Sequence, residues 1–414
     1  MLEVITPLAW PNPPDTYSFS ALAGISSCPR QWAYKHARYE PGGLASDRGI
    51  LMGRASWGAA RGEIIHETLE HLLNVHSANG GPPARHWGLV AFWRQHLPPG
   101  GIPSLTASIT ARVLEARTAH SRSRALRPAL RRVAAENNAS MAASVSKKLE
   151  FALVVTGGRR DGSGAVGGRR TLPPGASAEV GLRCTLEGPL GRAAWRGDAD
   201  IIKLVNGAIE IIDYKTGEPK PEHRRQLEIY ALLLWRDEEI NPQRLRASRL
   251  TLVYENGKKE TWSAPTVEAQ RALEAELVQE CRAAEASLAN QPPPARVGEA
   301  CRWCEAKPIC GDYWALSRPI AAASAPRADL ALLVTSLTRD RAEMAGTDGS
   351  ESARFLLAAS LSAAVSGLMP GDTVRVIGAK PIPVAVDEGQ PPTGRVFELD
   401  AVAEVIKLPS PAGR

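Results

Sequence analysis

The stretch GDADIIKLVNGAIEIIDYKTG, residues 197–217, constrains the fold more than any other part of the chain. Residues 194–205 and 208–215 are predicted strands on either side of Asn206-Gly207, and this dipeptide is the strongest short signal for a two-residue β-hairpin turn. If these two residues form the turn, regular pairing of the flanking strands places Asp200 opposite Asp213. The sequence therefore predicts two aspartates side by side on one face of a sheet.

Two aspartates in this arrangement indicate a divalent cation. Opposed side chains have Cβ atoms about 4.5–5.5 Å apart, a separation at which two carboxylates repel each other unless a cation lies between them. Such hard oxygen ligands suit Mg²⁺ or Mn²⁺. Lys215 follows Asp213 by two residues and projects from the same face, where an amine can position water or stabilise charge on a phosphoryl group. The alternative is an ordinary surface pair of charges.

Three further residues are candidates for the same site. His66, in the segment RGEIIHETLEHLL, lies beside an apolar stripe that includes Leu69, and it is either a core histidine or a third metal ligand. Gln226 and Tyr230 are four residues apart and share one helix face. They are either half-buried helix positions or a polar pair that reaches toward Lys215 and a DNA phosphate.

Together these motifs resemble the RecB-type branch of the PD-(D/E)XK nuclease superfamily. The matching residues are Gly62 with His66, Leu69 and Glu70; Gly197 with Asp200; Asp213-Tyr214-Lys215-Thr216-Gly217; and Gln226 with Tyr230. The resemblance implies three metal-ligating side chains and one ligating carbonyl, from His66, Asp200, Asp213 and Tyr214. It also implies that Lys215 is the catalytic lysine and that Gln226 and Tyr230 organise the site and the substrate.

The cysteines suggest a second site. Three of the six form the pattern C-x2-C-x5-C at Cys301, Cys304 and Cys310, and either a tetrahedral zinc ion or an iron–sulfur cluster needs a fourth ligand. Cys28, followed by Pro29-Arg30, is the best candidate. The spacing alone does not separate zinc from an iron–sulfur cluster.

One early cysteine and a late C-x2-C-x5-C resemble the clamp of AddB-type helicase–nuclease subunits and CRISPR-adaptation nucleases. This resemblance implies a 4Fe-4S cluster with a structural role, because the clamp would join two segments that are far apart in sequence. Cys184 lies on an alternating strand and Cys281 lies within a helix, so both are interpreted as packing residues.

The order of predicted elements indicates an α/β protein with a restriction-endonuclease-like αβββαβ core and a mixed sheet. We expect a RecB-like nuclease domain over residues 1–319, interrupted by a helical and loop insertion at 77–175. Residues 320–414 form a small appended domain that contains β-strands, with a barrel as one arrangement. Within it, the Ala- and Leu-rich stretch 351–369 predicts a helix.

Charge and composition favour a soluble protein with a polyanionic partner. The net charge is +6 and the pI is near 9.0, which is the balance expected for contact with DNA. No apolar run approaches the roughly 18 residues that cross a bilayer, so no membrane segment is expected. The first residues, MLEVITPLAWPNPPD, lack the pattern of a signal peptide. We therefore expect a cytoplasmic protein.

The leading hypothesis is a metal-dependent deoxyribonuclease, with exonuclease action on single-stranded or free-ended DNA in repair, recombination or defence. No G-x-x-x-x-G-K-[ST] motif occurs in the chain, so any helicase or other repair or defence subunit would be a separate partner. Two alternatives stay open at this point. One is a non-cleaving DNA-binding subunit of such a complex, and the other is a zinc-binding interaction protein.

Overall fold

The fold is taken from a computed structural model, whose side chains and backbone define most of the chain. The described residues are 7–39, 57–79, 88–118, 126–155, 172, 175–215, 217–255, 257–316, 327–340, 342–358, 361, 365–382, 395–400 and 403–408. Thr216 of the D-Y-K-T-G motif and Asn256 lie outside these ranges.

Nine α-helices and eleven β-strands are present within the described ranges. The helices are α1 (Phe19–Ser27), α2 (Pro29–His36), α3 (Trp57–Ala78), α4 (Leu89–His96), α5 (Gly101–Thr118), α6 (Leu126–Val155), α7 (Pro221–Arg236), α8 (Val267–Leu288) and α9 (Gly311–Ala315). The strands are β1 (Gly175–Gly188), β2 (Gly191–Val205), β3 (Ala208–Lys215), β4 (Ala247–Tyr254), β5 (Lys259–Ser263), β6 (Ala328–Leu337), β7 (Glu343–Thr347), β8 (Ser352–Leu357), β9 (Thr373–Ile382), β10 (Arg395–Leu399) and β11 (Glu404–Lys407). None of the helices in the part of the chain described is long and apolar enough to cross a membrane.

Five strands form a mixed sheet in the order β1-β2-β3-β4-β5. The β3–β4 pair is parallel and the other pairs are antiparallel. Helix α7 connects the two parallel strands, as such a crossover requires. The predicted αβββαβ core with a mixed sheet is therefore confirmed.

The hairpin of β2 and β3 has the predicted register. Asn206 and Gly207 adopt left-handed conformations with φ of 50° and 75°, as a tight turn that follows the twist of the strands requires. The pairing runs from Val205 opposite Ala208 to Ile201 opposite Ile212. The next position along this register is the pair of aspartates.

Helices cover both faces of the sheet. Helices α1, α7 and α8 pack on one face, around sheet residues such as Ile202 and Ile211. Helices α3, α5 and α6 pack on the other face, around Ile212, Tyr214 and Val253. Two helices of the predicted insertion therefore form a layer of the central core. Pro128 lies in the first turn of α6, where proline is tolerated.

The C-terminal strands form a second sheet that closes on itself. The strand order of this sheet is β6-β7-β8-β10-β9. Strand β9 also pairs with β6, so these five strands close into a barrel, and β11 pairs with β9 as an additional strand. Strands β8 and β10 are parallel. This is the strand order of the five-stranded Greek-key barrels called OB folds. Charges on its outer surface are balanced in pairs, including Arg354 with Glu343 and Lys380 with Glu398.

One predicted helix is replaced by a strand. Residues 351–369 were expected to be helical, but Ser352–Leu357 form β8. Ala353, Phe355 and Leu357 point into the barrel, and the residues between them face outward. The period of two matches the barrel wall, and stacking of the Phe355 and Phe397 rings, with centroids 5.4 Å apart, stabilises it.

The barrel rests on the segment that carries the late cysteines. Lys307 forms a buried ion pair with Asp329 of β6, and the Tyr313 hydroxyl donates to the same carboxylate at 2.8 Å. Arg375 of β9 donates to the Pro308 carbonyl at 2.8 Å, and its guanidinium lies over the Trp314 ring. The two parts of the molecule therefore meet at this segment.

Candidate metal centre and cysteine site

The two aspartates of the hairpin lie close together at the end of β3. The backbone N–H of Tyr214 donates to the Asp200 carboxylate at 2.7 Å, which ties the Asp200 side chain to the strand that carries Asp213. Asp213 is only 3% exposed. Burial, followed by the charge of Asp200, raises the pKa of Asp213 to about 6. Burial also raises the pKa of Asp200. This is the electrostatic cost that a bound cation would offset.

A third carboxylate, Glu179 of β1, extends the row across the sheet. Its neighbours Ala178 and Val180 pair with Ile201 and Ala199, so Glu179 lies opposite Asp200. We call Glu179, Asp200 and Asp213 the acidic row. Part of the Glu179 residue is open to solvent, but burial of its carboxyl group, and then the charge of Asp200, raise its pKa to about 8. Glu179 is not among the residues that the sequence motifs predict for this site.

His66 of α3 completes a compact group of donor atoms. Its imidazole and the carboxylates of Glu179 and Asp200 each offer one atom within 4.8 Å of the others. Burial lowers the pKa of His66 to about 4, and the positive charge of Lys148 is the next largest cause of this shift. The ring is therefore neutral at pH 7 and keeps a lone pair for a metal. One neutral imidazole and several carboxylates are a donor set that fits a divalent cation.

Lys215 is held between an acid and an amide. Its Nζ lies 2.6 Å from Oδ2 of Asp213 and donates to Oε1 of Gln226 at 2.7 Å. Gln226 in turn donates from Nε2 to the Tyr230 hydroxyl at 2.6 Å. The predicted polar pair on α7 therefore reaches the lysine of the D-x-K motif, and the three side chains form a continuous hydrogen-bonded chain.

Gly197 makes this arrangement possible. A Cβ placed on Gly197 would lie 2.8 Å from the Tyr230 ring, closer than real Cβ contacts come. Only glycine allows β2 to approach α7 at this point. The glycine of the G-x-x-D motif therefore has a packing role that supports the position of Tyr230.

The Tyr214 side chain points away from the acidic row. Its ring is 1% exposed and packs with the helices α3, α5 and α6. Any contact of Tyr214 with a metal would therefore come from its backbone. The structure brings His66, Asp200, Asp213, Lys215, Gln226 and Tyr230 together at one site, and it adds Glu179 to them.

The four cysteines of the predicted clamp line one shared cavity, although Cys28 comes from the start of the chain. The N–H groups of Arg296 and Gly298 each point at a sulfur, of Cys28 and Cys301 respectively, at 3.5 Å. Burial, and then the other three thiols, raise the pKa of Cys304 to about 11. Deprotonated sulfurs would therefore need a positive group between them.

The spacing of the sulfurs bears on what this cavity could hold. A single zinc ion with Zn–S bonds near 2.3 Å would place its sulfurs roughly 3.8 Å apart. Among the described residues, no three of these cysteines bring their sulfurs within 4.8 Å of one another. This spacing alone does not decide between zinc and an iron–sulfur cluster, because four thiols are suitable ligands for both. Cys281, a residue of α8, lies in the core, and Cys184 packs beside that core, away from the cavity.

A mixed sheet with an acidic hairpin beside a lysine is the architecture of restriction-endonuclease-like nucleases. The sequence matches the family model of the PD-(D/E)XK nuclease superfamily over residues 16–311, and the chain belongs to this superfamily. Nucleases of this superfamily use divalent metals.

Two solved structures show weaker likeness. "Crystal structure of SSO0001" is 23% identical, with a TM-score of 0.23, and the match covers 33% of this chain and 60% of that chain. "Crystal structure of p204 HINb domain" is 10% identical, with a TM-score of 0.18, and the match covers 28% of this chain and 54% of that chain. The chain thus covers less than two thirds of either structure. No curated protein matches the sequence.

Proposed function

We propose that this protein is a Mg²⁺- or Mn²⁺-dependent deoxyribonuclease that hydrolyses phosphodiester bonds as an exonuclease on single-stranded or free-ended DNA. The observation that carries this proposal is the meeting of His66 and the acidic row with Lys215 at one site. Its expected setting is DNA repair, recombination or defence in the cytoplasm. A separate helicase or other subunit is the expected partner.

In this proposal the metal is held by His66, Asp200 and Asp213, with the Tyr214 carbonyl. When bound, a divalent cation polarises a phosphoryl oxygen and makes a water more acidic. The side chains of the protein orient the phosphoryl group and the water. Asp200 is fixed by the Tyr214 N–H, so its free oxygen has a defined direction.

Lys215 acts on the phosphoryl group. Its ammonium is held by Asp213 and Gln226, and from this position it can orient the attacking water or stabilise negative charge that develops on a phosphoryl oxygen. Gln226 and Tyr230 restrict the lysine to one conformation. This pre-organisation is what a charged group needs to favour the transition state over the bound substrate.

Cleavage of labelled DNA tests the proposal. Single- and double-stranded substrates, with free or blocked ends, are incubated with Mg²⁺ or Mn²⁺ and with wild type, Lys215→Ala or Asp213→Ala. Lys203→Ala is the matched control, because Lys203 lies on the same hairpin opposite Glu210. Cleavage that depends on a free end and is lost in the two site variants supports the proposal. Equal cleavage by all variants, or salt-sensitive binding without metal-dependent cleavage, contradicts it.

We also propose that Cys28, Cys301, Cys304 and Cys310 hold a 4Fe-4S cluster with a structural role. The cavity that all four cysteines line supports it. Iron and acid-labile sulfide analysis of anaerobically purified protein, together with its visible absorption spectrum, provides the test. A colourless protein that contains zinc and no iron contradicts the cluster.

For the domains we propose a nuclease unit over residues 1–319, which includes the insertion 77–175, and an appended barrel over 320–414. Expression of each unit alone, followed by thermal unfolding, tests this division. The contacts of Lys307 and Pro308 with the barrel lead us to expect that the nuclease unit is less stable alone than in the full chain.

A further inference from the structure

A cleft of about 310 Å³ lies behind the acidic row, between α6 and the ends of β3 and β4. Its lining includes Lys147, Lys148, Tyr214, Tyr254, Glu255 and Lys259. Helix α6 belongs to the insertion, for which the nuclease motifs give no role. The cleft therefore joins residues of the insertion to the strand that carries the D-x-K motif.

Lys148 lies at the inner wall of this cleft in an unusual environment. Its side chain is buried, with the residue only 4% exposed, and its Nζ has no hydrogen-bond acceptor among the described residues. The ammonium lies over the Tyr214 ring, 5.2 Å from the ring centroid. A cation–π contact offsets only part of the cost of burying an ammonium. Burial lowers the pKa of Lys148, and the charges of Asp200, Glu255 and Asp213 oppose this shift. None of these carboxylates accepts a hydrogen bond from its Nζ, and a bound phosphate would supply that acceptor.

The surrounding charges favour an anion. Lys147 and Lys259 are exposed at the rim of the cleft. Glu255, one of the two acids in the lining, is already held by both terminal nitrogens of Arg61. The lining holds three lysines and two glutamates, Glu150 and Glu255, so its net charge is positive.

The cleft is adjacent to the proposed catalytic groups. Tyr214, which forms part of its wall, lies between Asp213 and Lys215 in the chain, and its N–H holds Asp200. The Tyr214 hydroxyl donates to the Lys148 carbonyl at 3.3 Å. The charges of Asp200 and Asp213 act on Lys148, so the inner wall of the cleft lies near the acidic row.

We infer that this cleft binds a phosphate group of the nucleic acid strand under cleavage, with Lys148 as its inner anchor and Lys147 and Lys259 at its rim. The inference rests on the proposed function, because it takes a nucleic acid as substrate. The insertion thereby contributes a substrate subsite as well as a layer of the core. A phosphate at this position fixes the strand relative to Lys215.

Salt-dependent binding tests the inference. Binding of a labelled single-stranded oligonucleotide is measured by fluorescence anisotropy over a series of salt concentrations, in full-length protein with Lys215→Ala to prevent cleavage. Lys148→Met and Lys147→Met are each added to this background. The matched control is Lys380→Met, an exposed lysine of the barrel that is paired with Glu398.

We expect Lys148→Met to weaken binding on the order of tenfold at low salt, the effect of losing one charged hydrogen bond. The slope of log affinity against log salt should fall by about 0.7, the value for one phosphate contact on a single strand. The melting temperature should stay the same or rise, because a buried charge without an acceptor is removed. Lys147→Met should have a smaller effect in the same direction, and Lys380→Met none.

An unchanged salt slope in Lys148→Met overturns the inference, and so does a lower melting temperature without loss of binding, which marks a purely structural lysine. The inference is also overturned if added inorganic phosphate does not weaken binding of the oligonucleotide. A changed slope in a protein whose wild type never cleaves DNA supports the phosphate site and contradicts the nuclease proposal. Cleavage by wild type together with an unchanged slope in Lys148→Met supports the nuclease proposal and contradicts the phosphate site.

Discussion

The acidic row and the cysteine cavity are both collections of groups that repel each other, but they are supported in different ways. Glu179, Asp200 and Asp213 stand on three neighbouring strands whose backbone ladders fix their positions. Cys301, Cys304 and Cys310 stand on short turns, and Cys28 comes from a separate loop between two helices. A sheet holds its side chains in place whether or not a ligand is present. Turns whose backbone hydrogen bonds are all local depend more on the ligand.

This difference teaches that the two sites should respond in opposite ways to loss of their ligand. Loss of a charge from the acidic row should harm chemistry and spare the fold. Loss of a thiol should harm the fold first, because the ligand itself closes the link between distant parts of the chain. Each of the following changes tests one side of this contrast.

The largest effect is expected for Lys215→Ala. Removal of a charged group that acts in the transition state typically lowers the rate on the order of a thousandfold, or about 4 kcal/mol of barrier. Because Lys215 lies at the end of β3 and is partly exposed, the melting temperature should hardly change. Steady-state cleavage kinetics and thermal unfolding check both parts. A large loss of stability in this variant would break the contrast between the two sites.

The next effect is on stability, for Cys304→Ser. This change removes one ligand of the proposed cluster, and we expect a loss on the order of 3 kcal/mol in the free energy of unfolding, with loss of bound iron. Chemical denaturation and iron analysis provide the measurement. Cys184→Ala is the matched control, since Cys184 is half-buried away from the cavity. Stability as high as that of the control would show that the clamp is dispensable.

A smaller effect is expected for Glu179→Gln. If Glu179 contributes to the cation site beside His66 and Asp200, loss of its charge should weaken Mn²⁺ binding on the order of tenfold, about 1.4 kcal/mol. Isothermal titration calorimetry measures this without any cleavage. Glu187→Gln, on the exposed end of the same strand, should leave the affinity unchanged. Equal affinities in the two variants would exclude Glu179 from the site.

Acidity should modulate the same site. The folded protein raises the pKa of Asp213 to about 6 and that of Glu179 to about 8, above their usual values. The folded state therefore keeps protons that the unfolded chain has lost, so these groups lower the stability of the metal-free protein as pH rises from about 4 to about 8. Mg²⁺ should raise the melting temperature more at about pH 8.5 than at about pH 5.5. Equal increases at both pH values would contradict these shifts.

The smallest effect is expected for Tyr230→Phe. It removes the hydroxyl that accepts from Gln226 at 2.6 Å, and one hydrogen bond contributes about 1 kcal/mol, so cleavage should slow by a few-fold. Tyr39→Phe is the control from the cysteine side, where the hydroxyl donates to the Tyr34 carbonyl at 2.7 Å. It should leave the cleavage rate unchanged. A rate for Tyr230→Phe equal to wild type would remove Tyr230 from the chain of hydrogen bonds that positions Lys215.

The sequence predicts the hairpin well because its register depends on local chemistry. Asn206-Gly207 selects one tight turn, and counting outward from it places the two aspartates. The same procedure would have found Glu179. Gly188 pairs with Gly191 across the β1–β2 turn, and counting back from there places Glu179 opposite Asp200. The β1–β2 turn thus sets a second register that leads to the same site.

Other features depend on contacts that a single sequence does not show. The Ala- and Leu-rich run at 352–357 is compatible with a buried helix or a buried strand, and only closure of the barrel selects the strand. The packing of α5 and α6 onto the sheet also depends on contacts between residues that are distant in sequence. Lys148 belongs to this group, because nothing in its local sequence indicates that its ammonium is covered by Tyr214.

The turn between Cys304 and Cys310 also provides contacts that hold the barrel. Lys307 and Pro308 sit within it, and both bond to residues of β6 and β9. Any rearrangement of the sulfurs that shifts this turn must move its outer side as well. The position of the barrel is therefore coupled to the ligation state of the cysteines. Loss of the ligand from the cysteines would weaken the contacts that hold the barrel.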